Sequence, residues 1–254
     1  MSENEIPWQA FVQSSSPRTN SFLICGGALI SKRHVLTAAH CVQKQGEASF
    51  NTADLIDVTL GTNDISWDGD GEHFAVNNVL VHPDYDSKTI TGPDFAILTL
   101  SKRVRLSRGI NTVCMPPYSY KQFIGRPGRI LFVAGWGRTS INGDISLQLK
   151  KVKVKVIKPQ YCHIYRTFDE EYDSCLKPMN ENEGTCRGDS GGTYTMNVNG
   201  RGTAVGLVSR GSGTNCSHNS IMTAITPSIN KWIAVNTRYG ARDSKCHRCH
   251  HCHF

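Results

Sequence analysis

Residues 186–192 constrain the fold of this chain most strongly, because they set a serine between glycines and next to an acid: Cys-Arg-Gly-Asp-Ser-Gly-Gly. Glycines on both sides of Ser190 let the backbone turn tightly and bring its N–H groups close to a bound carbonyl. A serine hydroxyl is a weak nucleophile, so it needs a nearby base and a third group that orients the base. Residues 36–41, with His40, and residues 94–98, with Asp94, supply both. The sequence therefore predicts a nucleophile site built from three distant segments.

The order of these residues along the chain excludes one common fold. The pattern Gly188-x-Ser190-x-Gly192 also fits the nucleophile elbow of α/β-hydrolases. In that fold the serine comes first, and the acid and the histidine follow it. Here His40 precedes Asp94, which precedes Ser190, so the elbow interpretation is excluded.

Short apolar runs separated by turn residues fill most of the 254 residues, and this spacing is typical of all-β barrels. The runs with strand character are residues 22–24, 56–60, 79–81, 95–100, 130–134, 204–208 and 221–225. One long helix is predicted near the end, because Thr226 can cap it, Pro227 suits its first position, and an apolar face precedes Gly240. A boundary between two halves is predicted within residues 105–118, where Ser, Gly and prolines interrupt the β pattern.

Four motifs carry a resemblance to a known family: TAAHC at 37–41, DFAIL at 94–98, AGWG at 134–137 and GDSGG at 188–192. In this order they make the chain resemble the chymotrypsin-like (trypsin-like, S1) serine proteases, from Pro7 to Trp232. The resemblance implies an all-β fold of two six-stranded antiparallel β-barrels with a C-terminal helix. The domains are then barrels at 1–107 and 108–226 and a helix at 227–240. The Cys/His-rich composition of residues 241–254 indicates a disordered tail.

By this resemblance the chain is expected to be a secreted, zymogen-derived serine endopeptidase with His40 and Asp94 on the first barrel and Ser190 on the second. The N–H groups of Gly188 and Ser190 would stabilise the oxyanion. Two other interpretations stay open. One is a catalytically silent homologue that binds partners through the same cleft, and the other is an adhesion protein that uses Arg-Gly-Asp at 187–189. The family's matching aspartate is buried, which disfavours the adhesion interpretation.

The residues that match the family's primary pocket predict cleavage after uncharged side chains. Gly184 matches the pocket base and Thr185 follows it, so no carboxylate is available there to pair with Lys or Arg. Thr185 and Ser220 are expected to narrow the slot, which favours medium apolar side chains. On this interpretation, Gly184→Asp would move the specificity toward basic side chains.

The opposite wall of the pocket departs from the family pattern. Ser209, Arg210 and Gly211 stand where Ser-Trp-Gly is usual. Arg187 and Arg210 are expected to place positive charge at the mouth of the cleft, which would favour acidic residues beside the cleaved bond. The alternative is that both are solvated surface arginines.

Asp189 is predicted to act in activation. Family members are cut to expose an Ile-Val-Gly-Gly-like N-terminus, whose ammonium pairs with the aspartate before the nucleophile, here Asp189. Only six residues precede Pro7, so the chain from Met1 is expected to lack its signal and activation segments. Without that partner, Asp189 is expected to turn elsewhere and misalign the Gly188 N–H.

Ten cysteines suit an oxidising compartment better than the cytosol. By resemblance, three bridges are expected: Cys25–Cys41, Cys162–Cys175 and Cys186–Cys216. A fourth family bridge is missing from both ends, where the apolar Leu131 and Met196 stand instead. Cys114 matches the cysteine that in many family members ties the protease to its propeptide, and here it could bridge to Cys246, Cys249 or Cys252. The Cys/His-rich tail itself indicates disorder more than a metal site.

No cofactor or metal ion is expected for this chemistry. Residues 62–72 resemble the family's calcium loop and offer Asp68, Asp70 and Glu72, but Thr62 replaces a usual carboxylate ligand. This leaves calcium as an open alternative.

The expected partners are protein or peptide substrates and protein inhibitors, with no nucleic acid, no membrane and a monomeric state. The net charge of +7 is mostly dispersed, which indicates a generic basic surface. Lys150–Val156 alternates lysines with valines, and this predicts a half-buried strand rather than a polyanion-binding stripe.

Overall fold

The computed structural model describes residues 5–16, 21–43, 51–116, 125–211 and 216–237. Within these ranges the chain forms two closed antiparallel barrels of six strands each and one α-helix. The predicted fold class is therefore confirmed. The tail at 241–254, Gly240, Met1 and part of the boundary at 105–118 lie outside the described residues.

The first barrel closes through the strand order β1-β2-β3-β6-β5-β4. Its strands are β1 (Gln9–Ser16), β2 (Ser21–Ser31), β3 (His34–Thr37), β4 (Ile56–Leu60), β5 (Glu72–Val81) and β6 (Ala96–Leu100). The second barrel closes through the order β10-β11-β12-β9-β8-β7. Its strands are β7 (Ile130–Gly135), β8 (Lys150–Val156), β9 (Asp173–Pro178), β10 (Thr193–Val198), β11 (Arg201–Gly211) and β12 (Ser220–Ala224).

Apolar runs predicted at least part of strands β2, β4, β5, β6, β7, β11 and β12, and the alternation of residues 150–156 predicted β8. Strand β4 coincides with the predicted run, and β6 begins one residue later than predicted. Strands β1, β3, β9 and β10 were not predicted, because serines, threonines or short length dilute their apolar pattern. These segments are buried because the barrel closes around them, and this burial cannot be predicted from their own residues.

Strand β8 has the alternation predicted for a half-buried strand. Val154 and Val156 are buried, and Lys153 and Lys155 are exposed. Lys151 pairs with Glu5 instead of standing in an open basic stripe.

Helix α1 (Pro227–Thr237) begins at the predicted residue, and the Ile229 N–H donates to Thr226 Oγ1 at 3.4 Å. Ile229 and Ile233 are buried in an apolar cluster that lies between the barrels and also contains Trp8. The helix therefore helps to fix one barrel against the other. Among the described residues no helix is long and apolar enough to cross a membrane.

The three expected disulfides are present among the described residues: Cys25–Cys41, Cys162–Cys175 and Cys186–Cys216. Leu131 and Met196 pack in one apolar cluster of the second barrel, as expected for a pair that replaces a bridge. Cys114 is disulfide-bonded as well, and the tail cysteines proposed as its partner lie outside the described residues.

Candidate active site

His40 lies on a short 3-10 turn, Ala39–Cys41, that follows β3. Its neighbours Ala39 and Cys41 are fully buried, and the Cys25–Cys41 disulfide ties the turn to β2. The imidazole itself is 19% exposed. The turn is therefore anchored on both sides of His40, while the ring remains open to the surface.

Asp94 precedes β6 and is completely buried. Its Oδ2 lies 2.7 Å from His40 Nδ1, and its Oδ1 accepts the His40 backbone N–H at 3.0 Å. The Ser209 hydroxyl donates to Oδ2 at 2.6 Å. Burial raises the pKa of Asp94, but the charge of His40 and these hydrogen bonds outweigh burial and lower the pKa to about 2. The carboxylate is therefore ionised and fixes the orientation of the imidazole.

Ser190 belongs to the loop before β10, and this loop docks directly on the first barrel. The Gly26 N–H donates to the Ser190 carbonyl at 2.7 Å. Gly191 packs so closely against the first barrel that a Cβ there would clash with Thr37 and lie 2.6 Å from the Gly26 carbonyl oxygen. The close approach needs glycine, and it brings Ser190 to the segment that carries His40.

Within the described residues, the Ser190 hydroxyl makes no hydrogen bond. Catalytic hydrogen bonds in unliganded enzymes are often long and tighten only when substrate binds. The Ser190 hydroxyl is therefore not held by another described group.

The backbone N–H groups of Gly188 and Ser190 form a candidate anion site. The Arg187 carbonyl accepts the Arg138 N–H at 2.8 Å. Because C=O and N–H of a trans peptide point in opposite directions, the Gly188 N–H points away from Arg138. Neither the Gly188 nor the Ser190 N–H donates to another described group, so both remain available to an oxyanion.

A cleft of about 130 Å³ opens beside Ser190. Among the described residues, the lining of this cleft contains no carboxylate. The predicted site residues that line it are Thr185, Arg187, Ser190, Ser209, Arg210, Gly211 and Ser220. Ile141, His218 and Asn219 line it as well.

A family model described as Trypsin matches residues 1–233 of this chain. The chain belongs to the trypsin family. Human cathepsin G is 34% identical over 207 residues, which cover 81% of this chain and 73% of that protein. Dog chymase is 33% identical over 206 residues, which cover 81% of this chain and 75% of that protein. A solved structure described as "Structure of GrC" has a TM-score of 0.79 at 26% identity and covers 94% of this chain and 97% of that chain.

As a member of the trypsin family, this chain is a serine endopeptidase of the hydrolase class. Proteases of this family act on proteins and meet protein inhibitors, and they are typically secreted or stored in granules.

In this trypsin-family protease, the AGWG glycines make room for Asp189. The Asp189 carboxylate accepts the Gly137 N–H and the Cys186 N–H, each at 2.9 Å, and a Cβ at Gly137 would clash with it. Burial raises the pKa of Asp189 to about 6, against the two hydrogen bonds that lower it. Instead of turning toward another charged group, the side chain is held by backbone donors and faces a cavity of about 680 Å³.

Gly184 lies outside the cleft beside Ser190, and this differs from its predicted place at the pocket base. It lines the cavity next to Asp189 instead. A Cβ at this position would clash with the Cys216 carbonyl. Gly184→Asp would therefore distort the wall formed by the Cys186–Cys216 bridge instead of placing a carboxylate under a substrate side chain.

Arg210 also differs from its prediction. Its guanidinium pairs with Asp173, and only 10% of its side chain is exposed. A charge that is already paired inside the protein cannot serve an acidic substrate residue at the cleft mouth. Arg187 is exposed and lines the cleft.

Tyr194 on β10 is a cleft-supporting residue that the sequence analysis missed. It is completely buried, and its hydroxyl lies 3.4 Å from Ser220 Oγ. Burial raises the pKa of Tyr194 to about 12, against hydrogen bonds to Ser220 and Thr185. The tyrosine therefore connects Thr185 and Ser220, which line the cleft, through its buried hydroxyl. A lone aromatic residue in a threonine-rich strand carries no signal for this role.

Residues 62–72 form a tight loop of their own. Thr62 Oγ1 donates to the Asp64 carbonyl at 2.7 Å, and Asp64 Oδ1 accepts the Ser66 N–H at 2.8 Å. Across the described part of the chain, no three His, Cys, Asp or Glu side chains converge on one point.

Proposed function

We propose that this protease cleaves peptide bonds with His40, Asp94 and Ser190 as its catalytic triad. The observation that supports this most is the 2.7 Å contact between Asp94 and His40 beside the loop that carries Ser190. Ser190 Oγ attacks the substrate carbonyl while His40 Nε2 takes its proton. The tetrahedral oxyanion is stabilised by the N–H groups of Gly188 and Ser190.

The second half of the reaction uses the same groups. His40 gives its proton to the leaving amine, the C–N bond breaks, and an acyl group remains on Ser190. Water then attacks this ester, with His40 as the base, and releases the acid and the free serine. Asp94 stays ionised throughout, because it holds the Nδ1–H of His40 and stabilises the imidazolium.

The primary specificity is proposed to be for uncharged side chains. Thr185 and Ser220 line the cleft, and both hydroxyl groups hydrogen-bond with the buried Tyr194 behind it. Discrimination in favour of Lys or Arg needs a buried carboxylate in the pocket, and the described lining has none.

The protease is proposed to be secreted, monomeric and zymogen-derived, with Asp189 as the residue that receives an activating cation. Three disulfides in the described residues support an oxidising compartment. The cavity beside Asp189 offers space for an incoming chain end.

A fluorophosphonate probe is expected to label Ser190 in matured protein. Labelling should disappear in Ser190→Ala and fall strongly in His40→Ala, because the probe needs an activated hydroxyl. Labelled protein is digested and the modified peptide is found by mass spectrometry. Absence of labelling in folded wild-type protein would refute the enzymatic triad and favour a silent homologue.

A peptide-library profile is expected to show cleavage after Leu, Met, Phe or Val. Tyr194→Val should deepen the cleft and raise kcat/KM for Phe relative to Val by about tenfold, the scale for a change of a few methylenes in an apolar pocket. Tyr194→Phe is the matched control, because it keeps the ring volume and removes only the hydroxyl. A profile dominated by Lys and Arg would contradict this specificity.

A further inference from the structure

The side chain of Arg210 occupies a buried site next to the proposed triad. Arg210 follows Ser209 on β11, and its partner Asp173 begins β9. The Asp173 side chain is 1% exposed. A buried charge is costly unless it is paired and hydrogen-bonded. Each of these two side chains therefore requires the other to remain buried in the second barrel.

A continuous chain of hydrogen bonds connects Arg210 and Asp173 to Asp94. Arg210 Nη2 donates to Asp173 Oδ2 and to the Thr167 carbonyl, the latter at 3.0 Å. Arg210 Nη1 donates to Ser209 Oγ at 2.9 Å, and Ser209 Oγ donates to Asp94 Oδ2 at 2.6 Å. The chain of contacts therefore runs from one barrel into the other.

The chemistry of the groups fixes the direction of every hydrogen bond in this chain. A guanidinium only donates and an ionised carboxylate only accepts. Ser209 has one hydroxyl hydrogen, and its oxygen already accepts from Arg210, so the hydrogen must point to Asp94. Without the arginine, the hydroxyl would lose the contact that holds its oxygen in this orientation.

We propose that Arg210, held by Asp173, is a positioning residue for the triad: it locks the Ser209 hydroxyl onto Asp94 and places a positive charge behind the carboxylate. The inference rests on the proposed function of His40, Asp94 and Ser190. In this family a tryptophan usually stands at the position of Arg210, so the device belongs to this chain.

The electrostatic effect on His40 has a definite sign. The positive charge of Arg210 disfavours the imidazolium, and the negative charge of Asp173 favours it. The titratable groups that share this environment are Asp94, His40, Tyr85, Asp169 and Asp173. Burial raises the pKa of Asp173 to about 7, although Arg210 opposes this, so its charge is fully present only above neutral pH. Tyr85 contributes no charge near neutrality, because burial raises its pKa well above the usual range.

The test compares pH profiles of kcat/KM, whose acid limb reports protonation of the catalytic base in the free enzyme. Arg210→Met should move this limb to higher pH by about one unit, the size expected for one charge at this range in a protein. Asp173→Asn should move it to lower pH by a smaller amount. Shifts of opposite sign are a signature that a merely structural pair would not produce.

Two further variants distinguish the loss of Arg210 from misfolding caused by an unpaired buried charge. Arg210→Met alone leaves a buried carboxylate, whereas the double variant Arg210→Met/Asp173→Asn removes both charges and should keep the fold. Its kcat should stay about tenfold below wild type with KM nearly unchanged, because Ser209 is no longer held. Arg210→Lys should keep the acid limb near wild type, since the charge remains.

Wild-type kcat in the double variant, or no opposite shifts in the single variants, would overturn the proposal. Thermal melts verify that each variant is folded. Fluorophosphonate labelling of wild type distinguishes failure of the triad from failure of the Arg210 role. Absence of labelling refutes the triad itself, whereas normal labelling with unchanged variants refutes only the role of Arg210.

Discussion

Asp94→Asn is expected to lower kcat by on the order of 10⁴ at neutral pH, a magnitude taken from the same substitution in a related enzyme with this triad. An asparagine can present an N–H to His40 Nδ1, where the carboxylate only accepts. The imidazole then adopts the tautomer with its hydrogen on Nε2, which cannot take the proton of Ser190. Steady-state kinetics on one ester substrate measures the loss.

Ser209→Ala is the matched control for this prediction. It removes one hydrogen bond to Asp94 Oδ2 but leaves the carboxylate and both of its contacts with His40. Its kcat should fall by about tenfold, the size of one hydrogen bond to a charged group. Equal losses in Asp94→Asn and Ser209→Ala would contradict the assignment of the tautomer to Asp94.

Asp189→Asn is expected to lower kcat/KM by about a hundredfold, using the loss of one oxyanion donor as the scale. The carboxylate accepts one backbone N–H on each oxygen. An amide accepts on one atom only, so either Gly137 or Cys186 would face a second donor. The loop that carries the Gly188 N–H would then shift away from the oxyanion position.

The pH dependence of stability gives a second expected result for Asp189→Asn. The pKa of Asp189 is raised to about 6, so the folded state binds its proton more tightly than the unfolded state does. Its contribution to the free energy of unfolding is therefore present below about pH 4 and is lost as the pH rises through 6. Asp189→Asn should lack this pH dependence, although it is less active.

Glu183→Gln is the control for Asp189, because it removes a carboxylate that lines the same cavity. It should leave both kcat/KM and the pH dependence of unfolding near wild type. Thermal melts between pH 4 and 8 give the second readout. An Asp189→Asn protein with wild-type kcat/KM would show that the two hydrogen bonds do not position the Gly188 N–H.

Local patterns in the sequence were sufficient for several features. The helix start at Pro227 and the half-buried strand Lys150–Val156 depend on residues adjacent in the chain, and both occur where they were predicted. The motif order predicted two barrels and three disulfides, and both are present. Such features follow from short-range geometry or from a motif that specifies a whole family.

Other features depend on contacts between distant segments. The sequence identified Arg210 as a departure from the family pattern, but its inward direction depends on Asp173, which lies 37 residues earlier. Tyr194 reaches Ser220, 26 residues away, only because β10, β11 and β12 are neighbours in one barrel.

The amino-acid sequence by itself determined the fold class, the bridges and the residue types of the proposed triad, because these are encoded in local motifs and in their order. The tertiary structure decided where each side chain points. In it, Gly184 lines the cavity beside Asp189, Arg210 pairs with Asp173, and two backbone N–H groups hold the Asp189 carboxylate. These outcomes depend on which groups burial brings together, and a buried charge or hydrogen-bonding group must then find its partner within the packed interior.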